Sequence, residues 1–315
     1  MIARLLENSL SFIHGHPLVK NSRMAQYCWG HLAALQGFYY DHRKFANAIA
    51  LENTTACNRT CPYCPHFWQE RARKTMSEAL LRKIVQDLSD FDYKGSIIFA
   101  PFGEPLLDDR LPLFVGHIKK KLRNCTVTVL TNGDLLTLEK FNRLDDSGVD
   151  CFAISDHFGI HDDRYVMADP IAAIETFLIL NEADRKKLTF YDSNYEKIKR
   201  LDRFHDRCGL IVLEDSISQE KLFRTCEFTE SILTINYKGD VLLCGRQWTN
   251  EPSFGNAGTE HLKDVWKKRK FRRIRKNLRK GVFELELCKN CKHGYMPDPA
   301  RIKELKAAHA NRTSN

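Results

Sequence analysis

The residues 57–64 read Cys57-Asn-Arg-Thr-Cys61-Pro-Tyr-Cys64, three cysteines spaced C-x₃-C-x₂-C directly after an apolar, strand-like run at 46–51. Three thiolates on one tight loop can hold three irons of a [4Fe–4S] cluster and leave the fourth iron without a protein ligand. Such an open iron is a place for chemistry, whereas a fully ligated cluster stores and passes electrons. Scattering 11 cysteines at random over 315 positions gives this pattern in roughly one chain in a hundred, so the spacing is a strong signal. A structural metal loop, or three unrelated buried thiols, is the bland alternative.

Four more cysteines lie far downstream: Cys226, then Gly239 and Cys244 in a C-x₁₂-G-x₄-C pattern, then Cys288 and Cys291 as C-x₂-C. Four thiolates suit either a zinc ribbon or a second [4Fe–4S] cluster. A cluster held by all four has no open iron and is an electron relay. Cys125, Cys151 and Cys208 fall at the N-terminal starts of predicted strands, and Cys28 on an N-terminal helix. That puts the first three on the face away from the site.

The elements that must hold these groups follow from hydrophobic periodicity. Apolar runs at 46–51, 96–100, 126–130, 149–154, 188–191 and 210–213 are the predicted strands, and helical patterns at 77–88, 111–122, 136–144, 171–180 and 195–204 separate them. Strand–helix alternation is the sign of a parallel α/β sheet, and six units make a partial (β/α)₆ barrel rather than a complete eight-stranded one. A parallel barrel keeps its site at the C-terminal ends of its strands, where the first cysteine loop sits. Three other strand ends are polar: Ala100-Pro-Phe-Gly103-Glu104-Pro105, Thr131-Asn132-Gly133 and Ser155-Asp156-His157. Asn-Gly is also a favoured turn pair, so turn chemistry competes with ligand binding at Asn132. His157, a titratable group at a strand end, is a candidate general base as well as an ordinary loop histidine.

After about residue 215 the alternation stops. A β-hairpin with a Gly-containing turn is predicted at 232–244, followed by a basic helix, the C-x₂-C pair and a polar tail. The predicted division is a helical segment at 1–45, a core at 46–215, an auxiliary cluster domain at 216–300 and a tail at 301–315.

The first cysteine motif, with aromatic Tyr63 just before its third cysteine, resembles the radical S-adenosylmethionine (radical SAM) superfamily. Gly103-Glu104-Pro105 resembles the Gly-Gly-Glu-Pro signature of that family, with Phe102 in place of the first glycine. The second cysteine set resembles the SPASM/twitch extension of the same family, in the shorter twitch form because no cysteine follows Cys291. The resemblance implies two [4Fe–4S] clusters, one on Cys57, Cys61 and Cys64 and one auxiliary cluster on Cys226, Cys244, Cys288 and Cys291. It implies that SAM is cleaved reductively to methionine and a 5′-deoxyadenosyl radical that abstracts a substrate hydrogen. Tyr63, Gly103, Glu104, Asn132 and Ser155 are then cofactor-binding, Glu104 pairing the SAM ammonium and Gly103 letting the backbone approach. The intervals of the second set are nearly those of a branch that oxidises an aminocyclitol alcohol to a ketone, with the auxiliary cluster accepting an electron. Its rivals are a maturase that modifies a ribosomal precursor peptide and a zinc-binding, nucleic-acid-associated protein without radical chemistry.

Bulk composition is that of a soluble globular chain, 43% hydrophobic and 28% charged. No apolar stretch reaches the ~18–20 residues that span a bilayer, and the N-terminus lacks a signal-peptide core. A cytoplasmic protein is expected, in which cysteines serve as metal ligands rather than disulfides. The net charge of +9 is concentrated at 263–280, where eleven Lys/Arg stand against one Asp. Leu262, Trp266, Ile274 and Leu278 recur there at helical spacing. The charged face is either simply solvated or a docking surface for an acidic, flavodoxin-like reductant. A nucleic-acid role has no recognition motif to support it.

Overall fold

β1 (Ala48–Leu51) has no polar side chain and is buried along its whole length, so it belongs at the centre of a sheet. In the computed structural model, which describes residues 45–61, 64–68, 71–156, 171–192, 208, 223–291 and 296–297, it does lie there. It pairs in parallel with β2 (Ser96–Phe99) on one side. Beyond β2 come β3 (Thr126–Thr131), β4 (Cys151–Asp156) and β5 (Leu188–Asp192), each parallel to the last. Intervening helices cross back over the sheet: α2 (Glu78–Ser89), α3 (Leu111–Lys121), α4 (Leu138–Ser147) and α5 (Ile171–Ile179). α1 (Pro65–Trp68) is a single turn inside the cysteine loop, and α6 (Glu182–Arg185) precedes β5.

Helix starts are encoded locally. The Ser77 hydroxyl accepts the Leu80 N–H at 3.1 Å to cap α2, and Thr137 caps α4 through the Lys140 N–H. α2 turns Leu81, Ile84, Val85 and Leu88 inward, and Ile49, Leu51, Ile97 and Phe99 of the sheet are likewise fully buried. Each such fully buried side chain contributes about 1.5–3 kcal/mol, so the strands and helices are held by burial rather than propensity.

The hairpin predicted for the auxiliary segment does not stand apart. β6 (Phe223–Thr225) pairs with β10 (Met296–Pro297) in a small antiparallel ladder. β7 (Ile232–Ile235), which follows the short helix α7 (Phe228–Ser231), pairs in parallel with the free edge of β1. β8 (Asp240–Leu242) and β9 (Ser253–Asn256) extend it antiparallel, giving one sheet in the order β5-β4-β3-β2-β1-β7-β8-β9. This is the open parallel core expected of a partial barrel; the sixth strand predicted at 210–213 and the helix at 195–204 lie outside the described residues, as do the helices at 1–45 and the tail. The basic helix is two helices, α8 (Leu262–Lys267) and α9 (Arg269–Arg279), broken at Lys268, and α10 (Glu286–Asn290) follows. No helix among the described residues is long and apolar enough to cross a membrane.

Candidate functional site

The first cysteine loop leaves the C-terminal end of β1 and returns into α2. Backbone bonds close its base: Thr55 N–H to Lys74 O at 2.8 Å and Met76 N–H to Asn53 O at 2.8 Å. At the far end a turn brings Cys64 N–H to Cys61 O at 2.9 Å, so the second and third thiols share one bend. The loop is also gripped from β3. Asp134, just beyond the strand, accepts Arg59 Nε at 2.8 Å and Asn58 Nδ2 at 2.7 Å, and Asn132 donates to Asn58 Oδ1 at 2.8 Å. Arg59 is buried and Asp134 is partly exposed, and their ion pair fixes the loop between Cys57 and Cys61.

Gly103 shows why a glycine stands in the second strand's turn. Its φ is +80°, and a Cβ there would lie 2.3 Å from Thr54 O and 2.8 Å from Ala56 O. The close approach is therefore to the stem of the cysteine loop, and Glu104 N–H binds Ala56 O at 2.7 Å. Phe102, the departure from the family signature, is buried against Trp248 with ring centroids 5.0 Å apart.

Glu104 is a buried carboxylate that accepts three hydrogen bonds from neutral donors: Leu106 N–H at 3.0 Å and the Thr131 hydroxyl at 2.7 Å on Oε1, Asn132 N–H at 2.8 Å on Oε2. Burial pushes its pKa above the ordinary carboxylate value despite those bonds, and nearby Asp134 pushes the same way. A buried carboxylate with neutral donors is suited to a cationic partner such as an ammonium group. Burial also pushes the Cys57 thiol up to about 11, against the bond from Arg59 N–H, with Glu104 and Cys64 adding to the rise. Three thiols on one loop, with a buried carboxylate near Cys57, fit an iron–sulfur cluster and the amino group of a ligand on it.

The other predicted residues are placed as follows. The Asn132 side chain is engaged in the loop clamp, its carbonyl accepting Asp134 N–H at 3.1 Å, so turn chemistry is present there. Ser155 is half-buried on β4, in register with Tyr191 of β5. Tyr63 and His157 lie outside the described residues.

The downstream cysteines do come together. Cys226 follows β6 and its N–H binds Leu278 O of α9 at 2.9 Å; Cys244 follows β8; Cys288 is in α10 and Cys291 ends it. The left-handed turn at Gly239, φ +91°, folds β7 back into β8 and so aims Cys244. The four line one small cavity, and a fifth thiol, Cys208, lines it too. Cys208 was expected only to face away from the first site; that it joins the downstream set was not foreseen. Its thiol is in hydrogen-bond contact with Cys244 and Cys291, which pushes its own pKa up and draws Cys244 down to about 6, against burial. Burial pushes Cys226 up to about 11. Cys125 and Cys151 stand at strand starts as expected, the Cys125 thiol donating to Tyr93 O at 3.0 Å.

Between the two thiol sets runs an aromatic contact chain that the motifs did not announce. Trp248, four residues after Cys244, packs edge-on against Phe102 and against His66, two residues after Cys64, at 5.0 and 4.9 Å. The Arg71 guanidinium lies 4.9 Å from the Trp248 ring centre and pairs with buried Glu52 at the end of β1, which also accepts Tyr237 N–H at 3.3 Å.

Comparison with known proteins gives the same two-part division. Residues 51–157 match a family model for the radical SAM superfamily, and residues 226–292 match SPASM, an iron–sulfur cluster-binding domain. The S-adenosyl-L-methionine-dependent 2-deoxy-scyllo-inosamine dehydrogenase of Niallia circulans is 30% identical over 251 residues, spanning 79% of this chain and 93% of that protein. The crystal structure of BtrN in complex with AdoMet and 2-DOIA matches with a TM-score of 0.68 at 28% identity, over 79% of this chain and 94% of that one. Streptococcus suis SuiB bound to precursor peptide SuiA matches with a TM-score of 0.53 at 15% identity, over 85% of this chain and 74% of that one, a likeness of fold alone.

Proposed function

The chain belongs to the radical SAM superfamily, as an S-adenosylmethionine-dependent oxidoreductase with [4Fe–4S] clusters, and on that premise we propose that it oxidises an alcohol of a small polar metabolite, a sugar or an aminocyclitol, to a ketone. The observation that carries this reading is the division of labour between the thiol sets: three beside buried Glu104, and a full complement around a separate cavity. When bound at the first set, SAM supplies a 5′-deoxyadenosyl radical that removes one hydrogen atom. Cys57, Cys61 and Cys64 hold the cluster it binds, Glu104 takes its ammonium, and Tyr63, Asn132 and Ser155 border the remaining groups. Removal of a hydrogen atom from a carbinol carbon leaves a radical that becomes a ketone by losing one proton and one electron. His157, which directly follows β4 in sequence, is the proposed acceptor of that hydroxyl proton. Cys226, Cys244, Cys288 and Cys291 hold a second cluster whose chemistry is electron transfer.

Anaerobic reconstitution tests the reading. About eight irons and eight sulfides per chain are expected from two clusters, with dithionite-dependent cleavage of SAM to methionine and 5′-deoxyadenosine that Cys61→Ala abolishes. Supplying a candidate alcohol deuterated at the carbinol carbon should label the 5′-deoxyadenosine. His157→Ala should lower ketone formation about a hundredfold while cleavage continues. Zinc without sulfide overturns the enzyme reading; unaltered ketone formation across pH removes His157 alone.

A further inference from the structure

A [4Fe–4S] cluster has four irons, and Cys226, Cys244, Cys288 and Cys291 satisfy all of them. The cavity nevertheless has five thiols, because Cys208 lines it as well. This fifth sulfur is no bystander: it is in hydrogen-bond contact with both Cys244 and Cys291, and it lies 3.8 Å from Arg246 O. Its backbone is left-handed, φ +64°, a conformation that residues other than glycine, asparagine and aspartate seldom adopt. Such a geometry persists where surrounding contacts over-determine it, and it recurs at functional sites. A thiol has one proton to donate and, with every iron taken, no metal to give it up to. A thiolate ligand is the stronger acceptor in its surroundings, since a hydrogen bond to an ionised sulfur is charge-assisted.

We propose that Cys208 is a positioning residue of the auxiliary centre, donating its S–H to the Cys244–Cys291 edge of the cluster and raising the potential at which that cluster takes up an electron. Hydrogen bonds to cluster sulfurs stabilise the reduced, more negative form. That is the direction required of a centre that must receive the electron lost by a substrate radical. The inference rests on the assignment of a [4Fe–4S] cluster to the other four cysteines.

The test uses the full chain with Cys57, Cys61 and Cys64 each replaced by Ala, so that only the auxiliary cluster remains. This parent and its Cys208→Ala, Cys208→Gly and Cys208→Ser derivatives are reconstituted and titrated by EPR. Glycine removes the donor while suiting the left-handed backbone, and serine keeps an O–H donor. About four irons and four sulfides are expected in all four proteins. The Ala and Gly derivatives should have midpoints more negative than the parent, and Ser should recover part of the shift. Equal midpoints in all four overturn the proposal. Loss of the cluster in both Ala and Gly also overturns it, since Cys208 is then an iron ligand. A parent that binds no iron and sulfide overturns the cluster assignment itself, and the proposal falls with it.

Discussion

The first thiol set depends on a residue that contributes no thiol. Asp134 receives both Arg59 and Asn58, the two residues that follow Cys57, and Arg59 is buried. Asp134→Ala therefore removes the carboxylate that this buried guanidinium pairs with. Breaking a buried pair this way costs about 3–5 kcal/mol, and the partial exposure of Asp134 brings the figure to about 2–3 kcal/mol. The expected result is a lower melting temperature and a cluster lost from the first loop, so that iron falls from about eight to about four per chain and SAM cleavage with it. Full iron content in Asp134→Ala would show that the loop holds its shape unaided. The thiols themselves were legible in the sequence, because C-x₃-C-x₂-C and C-x₂-C are local spacings. Asp134 was not, since its partners lie 75 and 76 residues away and an Asp after Asn-Gly reads as a turn. The neighbourhood of Cys208 was not legible for a related reason. The apolar run at 210–213 made it look like a strand start, while its contacts with Cys244 and Cys291 come from distant segments that no periodicity connects.

At the scale of elements, the basic stretch is more structural than its composition implies. The periodicity of Leu262, Trp266, Ile274 and Leu278 foretold a packed face, and all four are buried. It did not foretell that Arg275 is buried with them, its guanidinium 3.6 Å from the Trp266 ring centre. Glu230, on α7, meets Arg279 Nε at 3.0 Å and Arg275 Nε at 3.5 Å, and so ties α9 to the segment that carries Cys226. Burial nonetheless draws the Arg275 pKa down to about 10. Glu230→Gln should destabilise the chain by about 3–5 kcal/mol by leaving that cation buried and unpaired. Adding Arg275→Met replaces the cation with an apolar side chain and should restore most of the loss in thermal melts. A double variant no more stable than Glu230→Gln alone would mean the pair is not the source of the effect. The hairpin gives the converse lesson. Its turn was legible at Gly239, but its parallel pairing to β1 was not, because that register depends on an edge left open some 180 residues earlier.

Over the whole molecule the charge is divided. Residues 263–280 carry ten net positive charges, so the remainder of the chain is close to neutral at −1. After Arg275 and Arg279 are spent on Glu230, exposed basic side chains remain at Lys267, Arg269, Lys270, Arg272, Arg273, Lys276 and Lys280. This surface adjoins the auxiliary centre, since Leu278 O of the same helix accepts the Cys226 N–H. Cleaving SAM consumes one electron and the proposed alcohol oxidation returns one, so a carrier is needed to supply the first electron and to replace any that are lost. An acidic, flavodoxin-like protein that met the basic face would be placed to exchange electrons with the auxiliary centre. Attraction of this kind acts over about one Debye length, ~10 Å at 0.1 M salt and ~3 Å at 1 M. Raising salt from 0.05 to 0.5 M should therefore slow electron exchange with flavodoxin about tenfold or more, while reduction by dithionite, too small to need a docking face, changes far less. Reversing Arg269, Arg272, Arg273 and Lys276 to Glu should remove the salt dependence with flavodoxin and leave dithionite-driven SAM cleavage intact. The same salt dependence for both reductants, or for the reversed and original chains, would leave this helix with a packing role alone.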